Sequence, residues 1–182
     1  MIRRILILAA LCVASVGAWA QSLTTAQLTA LRTSILASEL AARCQPFGDG
    51  PTDIAAAYNQ PASPAFVVWR TNVSADEIGN AWVGTDIDGM SALNMQRLQL
   101  LLASSRSGTF DMSRADRRAG FENPFGTNAN NASRVAMRAV WQRNVTRFER
   151  IYATGTGTTA TPGALVVEGT LTPDVVRQAC TQ

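Results

Sequence analysis

A pair of cysteines constrains this chain more than any other feature. Three cysteines occur, but Cys12 lies within the apolar run Ile5–Val16, inside a segment laid out like a secretory signal. Arg3 and Arg4 form a short basic region, the apolar run follows, and Ala18-Trp19-Ala20 supplies an A-x-A cleavage pattern before Gln21. Residues 1–20 are therefore read as a signal peptide cut between Ala20 and Gln21. A buried N-terminal helix or an uncleaved anchor is the alternative. Leu11 precedes Cys12 where a lipobox needs a small residue, so Cys12 does not mark a lipoprotein. Cleavage leaves Cys44 and Cys180, and two thiols in an oxidising compartment are expected to pair. The bridge would tie the end of the first helix to the last one. Closing so long a loop is worth about 4–5 kcal/mol in the chain-entropy account. Two independent thiols, one buried and one in a frayed tail, are the alternative.

The rest of the chain reads as helices separated by turn formers. Thr24 and Gln27 have the spacing of a capping box, and Leu28, Leu31 and Ile35 then recur at helical spacing. "QPFGDGP" breaks that helix. "TDIAAAYNQ" follows as a short helix capped by Thr52 or Asp53. In "PASPAFVVWRT" the Val-Val-Trp run has strand propensity, but Ser63-Pro64 suits a helix start, and a short helix is expected. Ser74 and Glu77 form a second capping box, and Gly84–Gly89 reads as a turn. Ser91 precedes a helix with Leu98, Leu101 and Leu102 as core candidates. Another short helix begins near Ser113 and stops at Pro124.

The longest helix is expected over residues 132–153. Its apolar stripe is Met137, Trp141, Val145, Phe148 and Tyr152. "LVVEG" is a possible short strand. Thr172 caps a last helix, with Pro173 at its first position and Asp174 complementing its dipole. The expected fold is mainly α: a single compact domain of five to seven helices over residues 21–182, with at most a short β element near residues 164–169. No stretch after the first twenty residues is long and apolar enough to span a bilayer, so no stable membrane span is expected after cleavage.

Charge and residue types narrow the chemistry. All 16 basic residues are arginine, and there is no histidine. Histidine acid–base catalysis, histidine metal ligation and lysine Schiff bases are thereby excluded from this chain. Without Arg3 and Arg4 the formal charge of +3 falls to +1, against 13 acids. Arg134, Arg138, Arg143, Arg147 and Arg150, with "RADRR" at Arg114–Arg118, form the most basic region. Near neutrality this is a solvated helix face, and nucleic acid is not expected as a partner. Local ion pairs are expected from Glu149 to Arg147 and Arg150, and from Arg118 to Glu122. Asp86 and Asp88 in "TDIDGM" faintly resemble the start of a calcium loop. Met90 and Arg97 occupy positions where oxygen ligands belong, so a capped turn is the reading. "ATGTGTT" has neither the lysine of a phosphate loop nor the preceding strand of a dinucleotide fingerprint. Its glycines read as helix terminators. No catalytic, cofactor-binding or metal-ligating residue is assigned, and no cofactor is expected. Trp69, Trp82 and Trp141 could anchor a protein partner, although core packing is the commoner use of such residues.

"PASPAFVVWRT", "TRFERIYATGTGTTATPGALVVEG" and the spacing between them, with the opening "LTTAQLTALRTSILAS", carry a resemblance. The chain resembles a family of small uncharacterised proteins encoded by tailed bacteriophages and prophages. The similarity covers nearly all of residues 22–176. It implies a mainly helical, non-enzymatic protein, a virion structural or head–tail accessory acting through protein contacts. The signal-like extension and the cysteine pair depart from that family's pattern. They support the alternative, an exported, periplasmic binding or interaction protein of phage origin stabilised by a Cys44–Cys180 disulfide. A retained N-terminus would favour association with the virion.

Overall fold

The computed structural model describes residues 22–182 apart from Pro46 and Arg106. The proposed signal, with Ala20 and Gln21, lies outside the described residues. Helix α1 (Thr25–Leu36) starts at the expected capping box: Thr24 accepts from the N–H of Gln27, whose side chain accepts from the Thr24 N–H. Helices α2 (Gly50–Tyr58) and α9 (Pro173–Cys180) complete the terminal part of the chain. Helix α9 packs against both α1 and α2. Leu31, Ile35, Ile54 and Val176 are fully buried there. Burying each such side chain is worth about 1.5–3 kcal/mol. Asn59 exchanges two hydrogen bonds with the backbone of Leu171, at 2.8 and 2.9 Å, and so fixes the entry to α9.

The middle of the chain builds a second cluster. It contains β2 (Val73–Ser74), α3 (Ala75–Asn80), α4 (Gly84–Asp88), α5 (Ala92–Ala103), β3 (Thr109–Phe110), α6 (Ala115–Glu122) and α7 (Ala132–Val140). Strands β2 and β3 pair antiparallel. Ile78, Leu98, Phe121, Met137 and Trp141 are fully buried between these elements. Phe121 meets Phe110 edge-on, with ring centroids 5.1 Å apart, and lies 6.3 Å from Trp141.

A narrow β junction joins the two clusters. Strand β1 (Val67–Trp69) pairs antiparallel with β4 (Gln142–Asn144), placing Val68 opposite Arg143 and Trp69 opposite Gln142. Phe66, Val68, Val145 and Ala62 form a small core beneath the pair. Helix α8 (Arg147–Arg150) follows, then the ribbon of β5 (Ala153–Thr154) and β6 (Ala164–Leu165).

Mainly α is the right class, but the described residues hold nine helices rather than five to seven, and the β element is not confined to residues 164–169. Two changes account for much of this. The expected long helix over residues 132–153 ends at Val140, passes through β4, and restarts as α8. Its apolar stripe is nonetheless buried from Met137 to Tyr152, because the chain bends around the core instead of crossing it. The expected helix near Ser63-Pro64 is replaced by β1, whose Val-Val-Trp run finds a partner strand in β4. The expected turn at Gly84–Gly89 is a helical turn, α4. Among the described residues no helix is long and apolar enough to cross a membrane.

Candidate functional site

Cys44 and Cys180 are joined, with their Cα atoms 5.4 Å apart, where the end of α9 meets the segment after α1. The bond closes a separation of 136 residues and borders the terminal core.

The basic region does not form a continuous cationic face. Arg134 and Arg138 of α7 converge on Glu122 at the end of α6. Arg138 is bidentate, at 2.6 and 2.8 Å, and Arg134 donates at 2.8 Å. Glu122 is only 9% exposed. Burial pushes its carboxyl up, but the bonds from Arg138 and Arg134 outweigh this and hold it below the ordinary value. Arg143 grips Glu149, which is 3% exposed, at 2.7 and 2.8 Å, and also reaches Glu168 at 2.9 Å. Burial pushes Glu149 up as well. Arg143 and the N–H groups of Thr146 and Gly169 prevail, and its pKa is lowered.

Among the described residues the expected local ion pairs do not form, and their arginines take other partners. Arg147 bonds Glu39 at 3.1 Å, and Arg150 lies over the Phe66 ring at 4.0 Å. Arg118 leaves Glu122 to α7. Its Nη1 donates to the carbonyls of Met112 and Ser113, and its guanidinium lies 4.0 Å from the centre of the Trp69 ring. Asp86, the first acid of "TDIDGM", accepts from the N–H and the hydroxyl of Ser133 at 2.9 and 2.7 Å, tying α4 to the start of α7. These bonds lower its pKa. Among the described residues no group of three or more potential ligands could hold a metal ion.

The Gly-Thr stretch lies along β1. The N–H of Val67 donates to Gly157 O at 2.7 Å, and the N–H of Gly163 donates to Val67 O at 2.8 Å. Gly157 (φ +67°) and Gly163 lie so close to the Phe66 ring that a Cβ on either would overlap it. Threonines 156, 158 and 161 hold the tip through bonds to one another. Gln142 of β4 donates to Thr159 O at 3.1 Å.

This seating creates a cleft of about 360 Å³ whose walls are Trp69 of β1, Arg118 and Glu122 of α6, Arg138 of α7, Gln142 of β4, and Thr159 at the loop tip. Its one carboxylate is ionised and engaged, so it is a poor proton donor or base. Two guanidinium groups line the cleft. Sequence reasoning singled out every arginine involved but missed the cleft, because Trp69, Glu122 and Thr159 meet only through the β1–β4 pairing and the folded-back loop. Of the three tryptophans, Trp141 is core, Trp82 packs against the middle cluster and Trp69 lines the cleft. Comparison with protein families, curated proteins and solved structures finds no match for this chain.

Proposed function

We propose that this chain is an exported, non-enzymatic binding or interaction protein of phage origin, locked by the Cys44–Cys180 bond. That bond carries the reading: disulfides persist in oxidising compartments and are rare in the bacterial cytosol. The signal-like layout of residues 1–20 supports it from the sequence. The non-enzymatic part draws support from Glu122 and Glu149, which are both spent on arginines. The test is N-terminal sequencing and intact mass of the protein from a periplasmic fraction. A start at Gln21 and a gain of two protons on reduction are expected. An intact Met1 in the cytoplasm with free thiols overturns the proposal.

The second reading is a virion structural or head–tail accessory protein, as the family resemblance implies. Leu93 and Leu100 of α5, 58% and 63% exposed, favour it by offering apolar contacts to a protein partner. It predicts co-purification with virions, and absence from purified particles removes it.

A further inference from the structure

The cleft beneath the Gly-Thr loop carries charge that the fold does not use. Two arginines, Arg118 and Arg138, line it beside one carboxylate, Glu122, which is already bonded by Arg138 and, from outside the cleft, by Arg134. Glu122 takes Nε and Nη2 of Arg138, so Nη1 of Arg138 has no acceptor among the described residues. Arg118 spends Nη1 on two carbonyls, and its Nε and Nη2 likewise have none. At the mouth, the N–H groups of Thr159 and Ala160 also lack acceptors among the described residues. Burial disfavours the charged form of Arg118; Glu122 offsets part of this, and repulsion from Arg138 adds to it. A guanidinium so placed gains when an anion arrives. The donors are pre-set: Trp69 supports Arg118 from below, Glu122 fixes Arg138, and Gln142 holds the loop through Thr159 O. Fixed donors lose little freedom on binding.

We infer that this cleft binds the oxyanion group, carboxylate or phosphate, of a small organic molecule, held between Arg118 and Arg138 beneath the Thr159–Ala160 loop tip. The volume is that of a small-molecule site, and guanidinium forks match both anions. A nucleic-acid backbone is the weaker candidate. Of the neighbouring arginines, Arg114 is committed to Asp116 and Arg143 to Glu149 and Glu168, and Arg117 lies with Arg114 along a separate hollow. A polyanion would find a pocket here rather than a track.

The inference adds a ligand class to the binding role proposed above. Its test is independent of the cellular compartment, so either can fail alone. The oxidised protein, labelled with ¹⁵N-arginine, is titrated separately with inorganic phosphate and with succinate to about 10 mM, a range that covers weak millimolar binding. Saturable shifts confined to the Nε–H signals of Arg118 and Arg138 are expected, and the tighter of the two anions identifies the group. Arg118→Gln should weaken binding at least about tenfold, the loss of one charge-assisted bond. Ala160→Asp, at the exposed loop tip, should weaken it without changing the melting temperature, which keeps the test open if Arg118→Gln fails to fold. Arg97→Gln, outside the cleft, should change nothing. The inference is overturned by the absence of saturable shifts with either anion. Equal shifts at Arg32 and Arg97, or a single-stranded oligonucleotide binding more tightly than either anion, would also overturn it.

Discussion

Residues 25–58, 148–152 and 167–180 meet in one cluster, and residues 73–141 fill another. The first is mostly aliphatic and stapled. Its helices come from opposite ends of the chain, and ordering them means closing a loop of well over a hundred residues, which Cys44–Cys180 does covalently. The second is built from sequence neighbours, so its closure is cheap. Instead of a covalent bond it holds aromatic contacts among Phe110, Phe121 and Trp141, and an ionic knot at Glu122. Where the ends must be gathered the fold uses a crosslink; where the elements are local it uses shape and buried charge.

The sharpest way to break this comparison is to remove the crosslink. Cys44→Ser with Cys180→Ser should cost about 4–5 kcal/mol in the chain-entropy account. Hydrogen exchange should show α1 and α9 losing protection before α6 and α7. Equal loss throughout would mean that the two clusters open as one unit.

The converse experiment strikes the ionic knot. Glu122→Ala leaves Arg134, only 12% exposed at its side chain, without its carboxylate. Breaking one side of a buried pair costs about 3–5 kcal/mol, and we expect about 3 kcal/mol in urea unfolding because Arg134 keeps its bond to Gly126 O. The loss should appear in α6 and α7 while the disulfide-linked helices stay protected. A cost under about 1 kcal/mol would place Glu122 among ordinary surface pairs.

Between the clusters, Gly157→Ala tests the seating of the Gly-Thr loop on β1. The substitution meets both a positive φ and the Phe66 ring, and overpacking of this kind costs about 1–3 kcal/mol. NMR shifts should spread from Phe66 along β1 and reach Gln142 through the freed Thr159, while both clusters keep their spectra. Unchanged shifts at Gln142 would show that the loop tip holds its place without the contact at Gly157.

The two clusters also differ in how plainly the sequence announces them. The terminal helices carry strong local signals, Thr24 with Gln27 and Thr172 with Pro173, and local signals suffice where helices simply start, run and stop. The expected helix over residues 132–153 failed for a readable reason. Thr146 and Glu149 form a capping box inside it, which marks a new start and therefore a preceding break. The apolar stripe masked that signal, since burial at residues 137, 141, 145, 148 and 152 fits both one straight helix and a bent path around the core. Strand β1 was ambiguous because three residues gain strand character only from their partner, and Gln142–Asn144 has none of the β-branched pattern that would have identified it. The cleft was beyond reach for the same reason: its walls are set by the β1–β4 register, a property of two segments some seventy residues apart.

Acid offers the mildest and most selective probe. Glu77 caps α3 through the N–H and hydroxyl of Ser74 and pairs with Arg70 at 2.7 and 3.2 Å. The Arg70 bonds, then the Ser74 backbone, lower its pKa to about 2. A folded pKa below the unfolded one means a contribution fully present above about pH 5 and lost as pH falls from there toward 2. The Glu77 side chain is 41% exposed, so solvent screening limits this contribution to about 1 kcal/mol. Glu122 has a lowered pKa too and acts in the same direction. On the terminal helices Asp53 and Asp174 are 45% and 81% exposed at their side chains and pair only at the surface. Acid should therefore loosen α3, α6 and α7, and with them the α8 junction that Glu149 ties to Gly169, whereas removing the disulfide frees α1 and α9 first. Glu77→Gln isolates one share of the effect. Its stability deficit should be about 1 kcal/mol near neutral pH and should vanish toward pH 2, where the native side chain is protonated as well. A deficit that persists unchanged at low pH would assign the role of Glu77 to packing rather than charge.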